Sequence, residues 1–179
     1  MSTVSEPEVW LRGPVPDMPP YLQPVAHSLL QCQAEVRATL YRVPRELIWG
    51  TEGDVASIGF HVRHAIGSLG RLLTYARGEQ LSPAQMAILR DEGDEGTGPA
   101  SADELIAAFD DAVKAALAQL RGTKEATLLD AREVGRARLP STVIGLLFHA
   151  AEHTQRHIGQ LVTTAKRAMS ASHRDRPRE

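Results

Sequence analysis

Apolar residues recur along most of this chain at three- and four-residue steps, the period of helices that bury one face. From Tyr21 to about Tyr41, Leu22, Val25, Ala26, Leu29, Leu30, Ala34, Val36 and Leu40 keep that spacing and predict a first helix. It should end near Val43-Pro44, because a residue before proline is pushed out of the α region. A second helix is predicted from about Val55 to Ala76, with Ile58, Val62, Ala65, Leu69, Leu72, Leu73 and Ala76 on one face. Asp54 and Ser57 are candidate caps at its start, and Gly78 suits its end. Ser82-Pro83 predicts a short helix through about Leu89. Asp91 to Pro99, acidic and glycine-rich, is expected to be a solvated loop.

Ser101 with Glu104 forms a Ser-x-x-Glu capping pattern, and Leu105, Ala108, Phe109, Ala112, Ala116 and Leu120 continue it as a third long helix ending at Gly122. Between Thr123 and Arg138 the apolar positions are too sparse for a long helix, and an extended excursion or hairpin fits as well. After Pro140, placed in a first turn, Val143, Leu146, Leu147, Ala150, His153, His157 and Leu161 form one stripe of a fourth long helix. It should end among Lys166, Arg167 and small residues, leaving a disordered tail over 171–179. Residues 1–19, with Pro7, Pro14, Pro16 and Pro19, form an arm without regular structure. The stripes of four long helices over 20–170 can cover one another, so the fold expected is an all-α four-helix bundle with an extra short helix or extended segment between long helices.

Composition narrows the function classes. Twenty Lys and Arg against 22 Asp and Glu give a net charge of −2, so neither nucleic acid nor an anionic membrane is an expected partner. No run approaches the roughly 18 apolar residues of a membrane helix. The N-terminus lacks the basic start and apolar run of a secretory signal. Cys32 is the single cysteine, so no intrachain disulfide can form and a cytoplasmic location is expected. An unpaired cysteine of this kind is read as a small buried apolar residue.

Five of the seven histidines fall in two segments: His61 and His64 in the second helix, His149, His153 and His157 in the fourth. Residues four apart on a helix lie one turn apart on nearly the same face, so an i,i+4 pair can present two imidazoles to one ion. A third ligand from a facing helix completes a set that leaves a position open, as catalytic zinc sites do. His153 and His157 continue the apolar line, whereas His149 is rotated towards Glu152 and Arg156. On the second helix, projection places His61 nearer the apolar face than His64, and spacing does not decide between them. Taken singly, each histidine reads as a solvated or hydrogen-bonded residue. Taken together, imidazoles inside a bundle need partners for their nitrogens, and a shared metal supplies one.

The stretch Ser57-Ile58-Gly59-Phe60-His61-Val62-Arg63-His64-Ala65 and the stretch from Leu146 to Leu161, containing His153-Thr154-Gln155-Arg156-His157-Ile158-Gly159-Gln160, resemble the DinB/YfiT-like superfamily of bundle metalloproteins. That family carries a Ser-Ile-Gly segment followed by a ligand histidine, and a His-x-x-x-His-x-Gly-Gln motif. The resemblance spans about residues 20 to 168 and implies that His64, His153 and His157 are the metal ligands. His61 and His149 add a histidine beside these ligands, so a shifted set and a merely histidine-rich pocket both stay open. The resemblance further implies zinc or nickel, a homodimer, and, as in some relatives, transfer or isomerisation using low-molecular-weight thiols such as mycothiol or bacillithiol.

The expected function is therefore divalent-metal binding, with a metal-dependent thiol transferase or hydrolase as the enzymatic reading. A non-catalytic, stress-associated homodimeric metal-binding bundle is the alternative. Gln160, His61 and His149 are candidates for supporting a ligand histidine or for alternative ligands, and Glu152, Arg71 and Tyr75 are polar candidates near the pocket. A haemerythrin-like di-iron site needs carboxylates at ligand spacing, and the fourth helix offers only Glu152, on a different face.

Overall fold

The computed structural model describes residues 6–51 and 54–174. The long helices are α1 (Gln23–Leu40), α2 (Ile58–Ala76), α4 (Ala102–Gly122) and α5 (Val143–Arg174), with the short α3 (Pro83–Asp91) between α2 and α4. An antiparallel hairpin, β1 (Ala131–Val134) and β2 (Leu139–Thr142), precedes α5. In cross-section α2 and α1 flank α5, and α4 closes the ring between α1 and α2. The architecture is thus an all-α bundle with one small hairpin inserted.

Local signals place the helix starts. The Ser57 side chain accepts from the Phe60 N–H at 3.1 Å, so α2 begins three residues later than Val55. Ser82 with Gln85 and Ser101 with Glu104 form complete capping boxes at α3 and α4. Gly59 has a packing role: its N–H donates to the Ile48 carbonyl at 2.8 Å, and a Cβ there would lie 2.6 Å from the Trp49 indole. The first turn of α2 therefore sits on that ring, whose Nε1–H donates to the Ala100 carbonyl at 2.9 Å.

The core is aliphatic, as the periodicity predicts. Leu22, Leu29 and Leu40 from α1 and its lead-in, Ile58 and Leu69 from α2, Leu105, Phe109 and Leu120 from α4, and Leu147, Ile158 and Leu161 from α5 are fully buried. Cys32 is buried among them, and burial pushes its thiol up to about 12, which leaves it unreactive near neutral pH.

Three further features differ from the sequence expectation. Pro140 lies in β2 opposite Glu133 rather than in a helical turn, a position a proline tolerates because both strands of a two-stranded ribbon are edges. The cap of α5 is Thr142, whose Oγ1 accepts from the Gly145 N–H at 3.1 Å. Second, α5 does not stop near Arg167: Ala165 is buried, Ala168 and Met169 pack on the core, and the helix runs to Arg174. The expected tail over 171–179 is helical as far as Arg174, and its remainder lies outside the described residues. Third, the acidic loop is not wholly solvated, because Glu92 is only 3% exposed. The N-terminal arm lies along α1, where Gln31 accepts from the Val9 N–H and Gln23 bonds both the N–H and the carbonyl of Val15.

Candidate metal centre

The contact between α2 and α5 carries the histidines. The i,i+4 pair His153 and His157 faces α2, and His64 faces them from the other helix. His64 Nε2 lies 3.1 Å from His153 Nε2, and the His64 and His153 rings stand 4.4 and 4.6 Å, centroid to centroid, from His157. One ligating atom from each of these three residues falls within 4.8 Å of the others. Donors around a tetrahedral ion at a metal–nitrogen distance of about 2.05 Å stand about 3.3 Å apart, so small side-chain adjustments bring this set into register. Among the described residues, this is the group of three or more potential ligands close enough to share an ion.

A carboxylate that the sequence pattern assigns to solvent supports this arrangement. Glu92 Oε2 accepts from His64 Nδ1 at 2.7 Å, which leaves Nε2 for the cluster, while Glu92 Oε1 accepts from Arg71 Nη1. Burial raises the proton affinity of Glu92, but the hydrogen bonds from His64 and Arg71 outweigh it and hold the carboxyl below its ordinary range. The Glu92 carboxylate occupies the space where a Cβ on Gly67 would lie, so glycine at that position on α2 is required by the approach. Arg63 anchors the loop that delivers Glu92, donating to the carbonyls of Asp91 and Asp94 and to Thr97 Oγ1. Phe60 stacks on the His64 ring at 5.4 Å.

A family description for the DinB superfamily matches residues 5–161. The chain belongs to the DinB superfamily. No curated protein matches it significantly. Within this DinB chain the other candidate residues take varied places. His61 is the more buried histidine of α2, at 5% exposed, yet it stands at the edge of the cluster with its Nδ1 3.4 Å from that of His157. Projection thus identifies the buried ring, and a different ring converges with the α5 pair. The His149 side chain is 50% exposed and bonds Glu152, which also holds Arg156. Gln160 is exposed and lines a neighbouring cleft with His61 rather than touching the cluster. Tyr75 is buried in the core, and Arg71 reaches His64 through Glu92.

Protonation favours ligation. Burial, then repulsion from His64, lowers the proton affinity of His61 and His153, and His157 is pushed down to about 4 by burial and by neighbouring His64, His153, His61 and Arg156. The unfolded chain takes up protons on these rings near the ordinary 6.5, whereas the fold resists until lower pH. The metal-free protein should therefore keep full stability above about pH 7 and lose it as pH falls through 6.5 towards 4. Thermal midpoints measured in chelator between pH 8 and 5 test this. The drop should be shallower in His157→Leu, and a midpoint unchanged between pH 7 and 5 contradicts it.

Proposed function

We propose that this chain binds one divalent transition-metal ion, zinc or nickel, through His64, His153 and His157, and acts as a metal-dependent transferase of low-molecular-weight thiols or a hydrolase. The observation that carries the reading is the convergence of three imidazoles from two helices, with Glu92 fixing one of them. A neutral three-nitrogen set suits borderline ions and leaves a coordination position for a substrate. When bound, such an ion supplies Lewis acidity that makes a thiol or water held beside it more acidic. The chain's own residues do the positioning: Glu92 orients His64, Arg71 neutralises Glu92, and Phe60 shields one face of the His64 ring.

The test is turnover of small thiols with electrophilic acceptors by metal-loaded and chelator-stripped protein. Metal-dependent turnover that disappears in His153→Ala supports the enzymatic reading. Its absence across the panel favours the second reading, a non-catalytic homodimer in which the ion ties α2 to α5. That alternative rests on the placement of the ligands on two helices already packed together, and sizing in solution with and without metal tests its dimeric part.

A further inference from the structure

A cleft of about 530 Å³ opens beside the histidine cluster, between the segment leading into α2 and the outer face of α5. His61, which touches His157, forms one part of its wall. Val55 and Ala56 supply an apolar floor, with Gly159 and Ala168 of α5 opposite. Gln160, Thr164 and Arg167 also line it, spaced four and three residues apart and therefore on one stripe of the helix. Among the described residues no hydrogen bond or ion pair engages the Gln160 amide, the Thr164 hydroxyl or the Arg167 guanidinium. The other lining cation, Arg156, is held by Glu152, and no acidic side chain of the described residues lines the cleft. An apolar trough with a few uncommitted, convergent polar groups is the usual form of a small-molecule site. Among the described residues, the lining charge without an ion-pair partner is that of Arg167, ten residues beyond His157 on α5. Seven residues of helix separate Gln160 from Arg167, about 10 Å at 1.5 Å per residue.

We infer that this cleft binds an elongated amphipathic anion, with its carboxylate or phosphate at Arg167, its apolar body on Val55 and Ala56, and its other end at His61. The inference deepens the proposed function, on which its reading as a substrate site rests: the cleft orients such a molecule so that the end remote from the charge lies at His61, beside the cluster. Thr164 and Gln160 add donors along the path, and Arg167 selects for the anion.

The probes are octanoate and octyl phosphate, with octanamide as the neutral match, titrated calorimetrically into the full chain with its metal content measured in the same samples. Both anions should bind saturably and more tightly than octanamide. Arg167→Gln should weaken octanoate about three- to tenfold, as for a solvent-edge charge contact, and leave octanamide unchanged. Arg167→Lys should recover most of the loss, and Thr164→Phe should block all three probes while circular dichroism stays native. Binding of only one of the two anions assigns the head group and supports the inference. Equal binding of octanoate and octanamide, or indifference to Arg167→Gln in a natively folded protein, overturns it. Full metal content without anion binding sinks the cleft assignment and spares the metal reading, whereas anion binding by a chain that takes up no metal does the reverse.

Discussion

Each of His64→Ala, His153→Ala and His157→Ala should bind a divalent ion at least about 100-fold more weakly than the wild type, since losing a ligand exceeds the 10- to 100-fold effect of losing a partner behind one. The effect is visible in stability as well as in metal content. At an ion concentration about 100 times the wild-type Kd, binding contributes about 2.7 kcal/mol, and a variant 100-fold weaker gains only about 0.4 kcal/mol. For a chain of this size the difference is a shift of roughly 5 to 10 °C in Tm. Elemental analysis and thermal scans of the four proteins check it, with His61→Ala and His149→Ala alongside. Those two should retain the metal, because His61 stands at the edge of the cluster and His149 faces solvent. Equal metal content in all proteins would reject the assignment, and loss in His61→Ala with retention in His64→Ala would shift it by one turn of α2.

Glu92→Ala should be the most damaging single change outside the ligands. It removes the anion facing Arg71, whose side chain is 11% exposed, and leaves a buried cation without a partner. Breaking a buried pair in this way costs about 3–5 kcal/mol, whereas replacing both partners with apolar groups is often neutral. Glu92→Ala should therefore lower the urea midpoint sharply, and Arg71→Met in the same chain should recover much of the loss. Metal affinity should fall about 10- to 100-fold in Glu92→Ala and stay low in the double variant, because His64 Nδ1 has lost its acceptor in both. That split separates support of the fold from support of the site. A Glu92→Ala protein within about 0.5 kcal/mol of wild type and with unchanged metal affinity would show that the contact contributes to neither.

Particular residues show how much was legible beforehand. The helix interiors and capped starts could be read because their causes are local: a 3.6-residue apolar period, and side chains such as Ser82 and Ser101 bonding the backbone three residues on. The extension of α5 does not show in the periodicity, because Ala165, Ala168 and Met169 are weak apolar signals whose burial depends on what packs over them. The sequence pattern puts Pro140 in the first turn of the last long helix, and its pairing with Glu133 in the hairpin overturns that placement. The pair His153 and His157 is legible from spacing, since both lie on one rigid helix. On α2, periodicity favours His61 and finds the ring that is buried, while the family resemblance points to His64, the ring that meets the α5 pair. Burial and convergence are separate properties, and a helical projection reports only the first.

By itself the sequence determined the all-α class, the four long helices, the aliphatic core and the concentration of imidazoles on two of the helices, because each follows from interactions within a few turns of chain. Only the tertiary structure decided that Glu92 leaves its acidic loop to hold His64 against Arg71, that Gly67 makes room for it, and that Gln160, Thr164 and Arg167 line an open cleft with the segment leading into α2. The physical reason is distance along the chain. Glu92 meets a histidine 28 residues away, and the packing of α2 against α5 that creates the cleft joins segments some 90 residues apart. No local period or spacing encodes such an encounter.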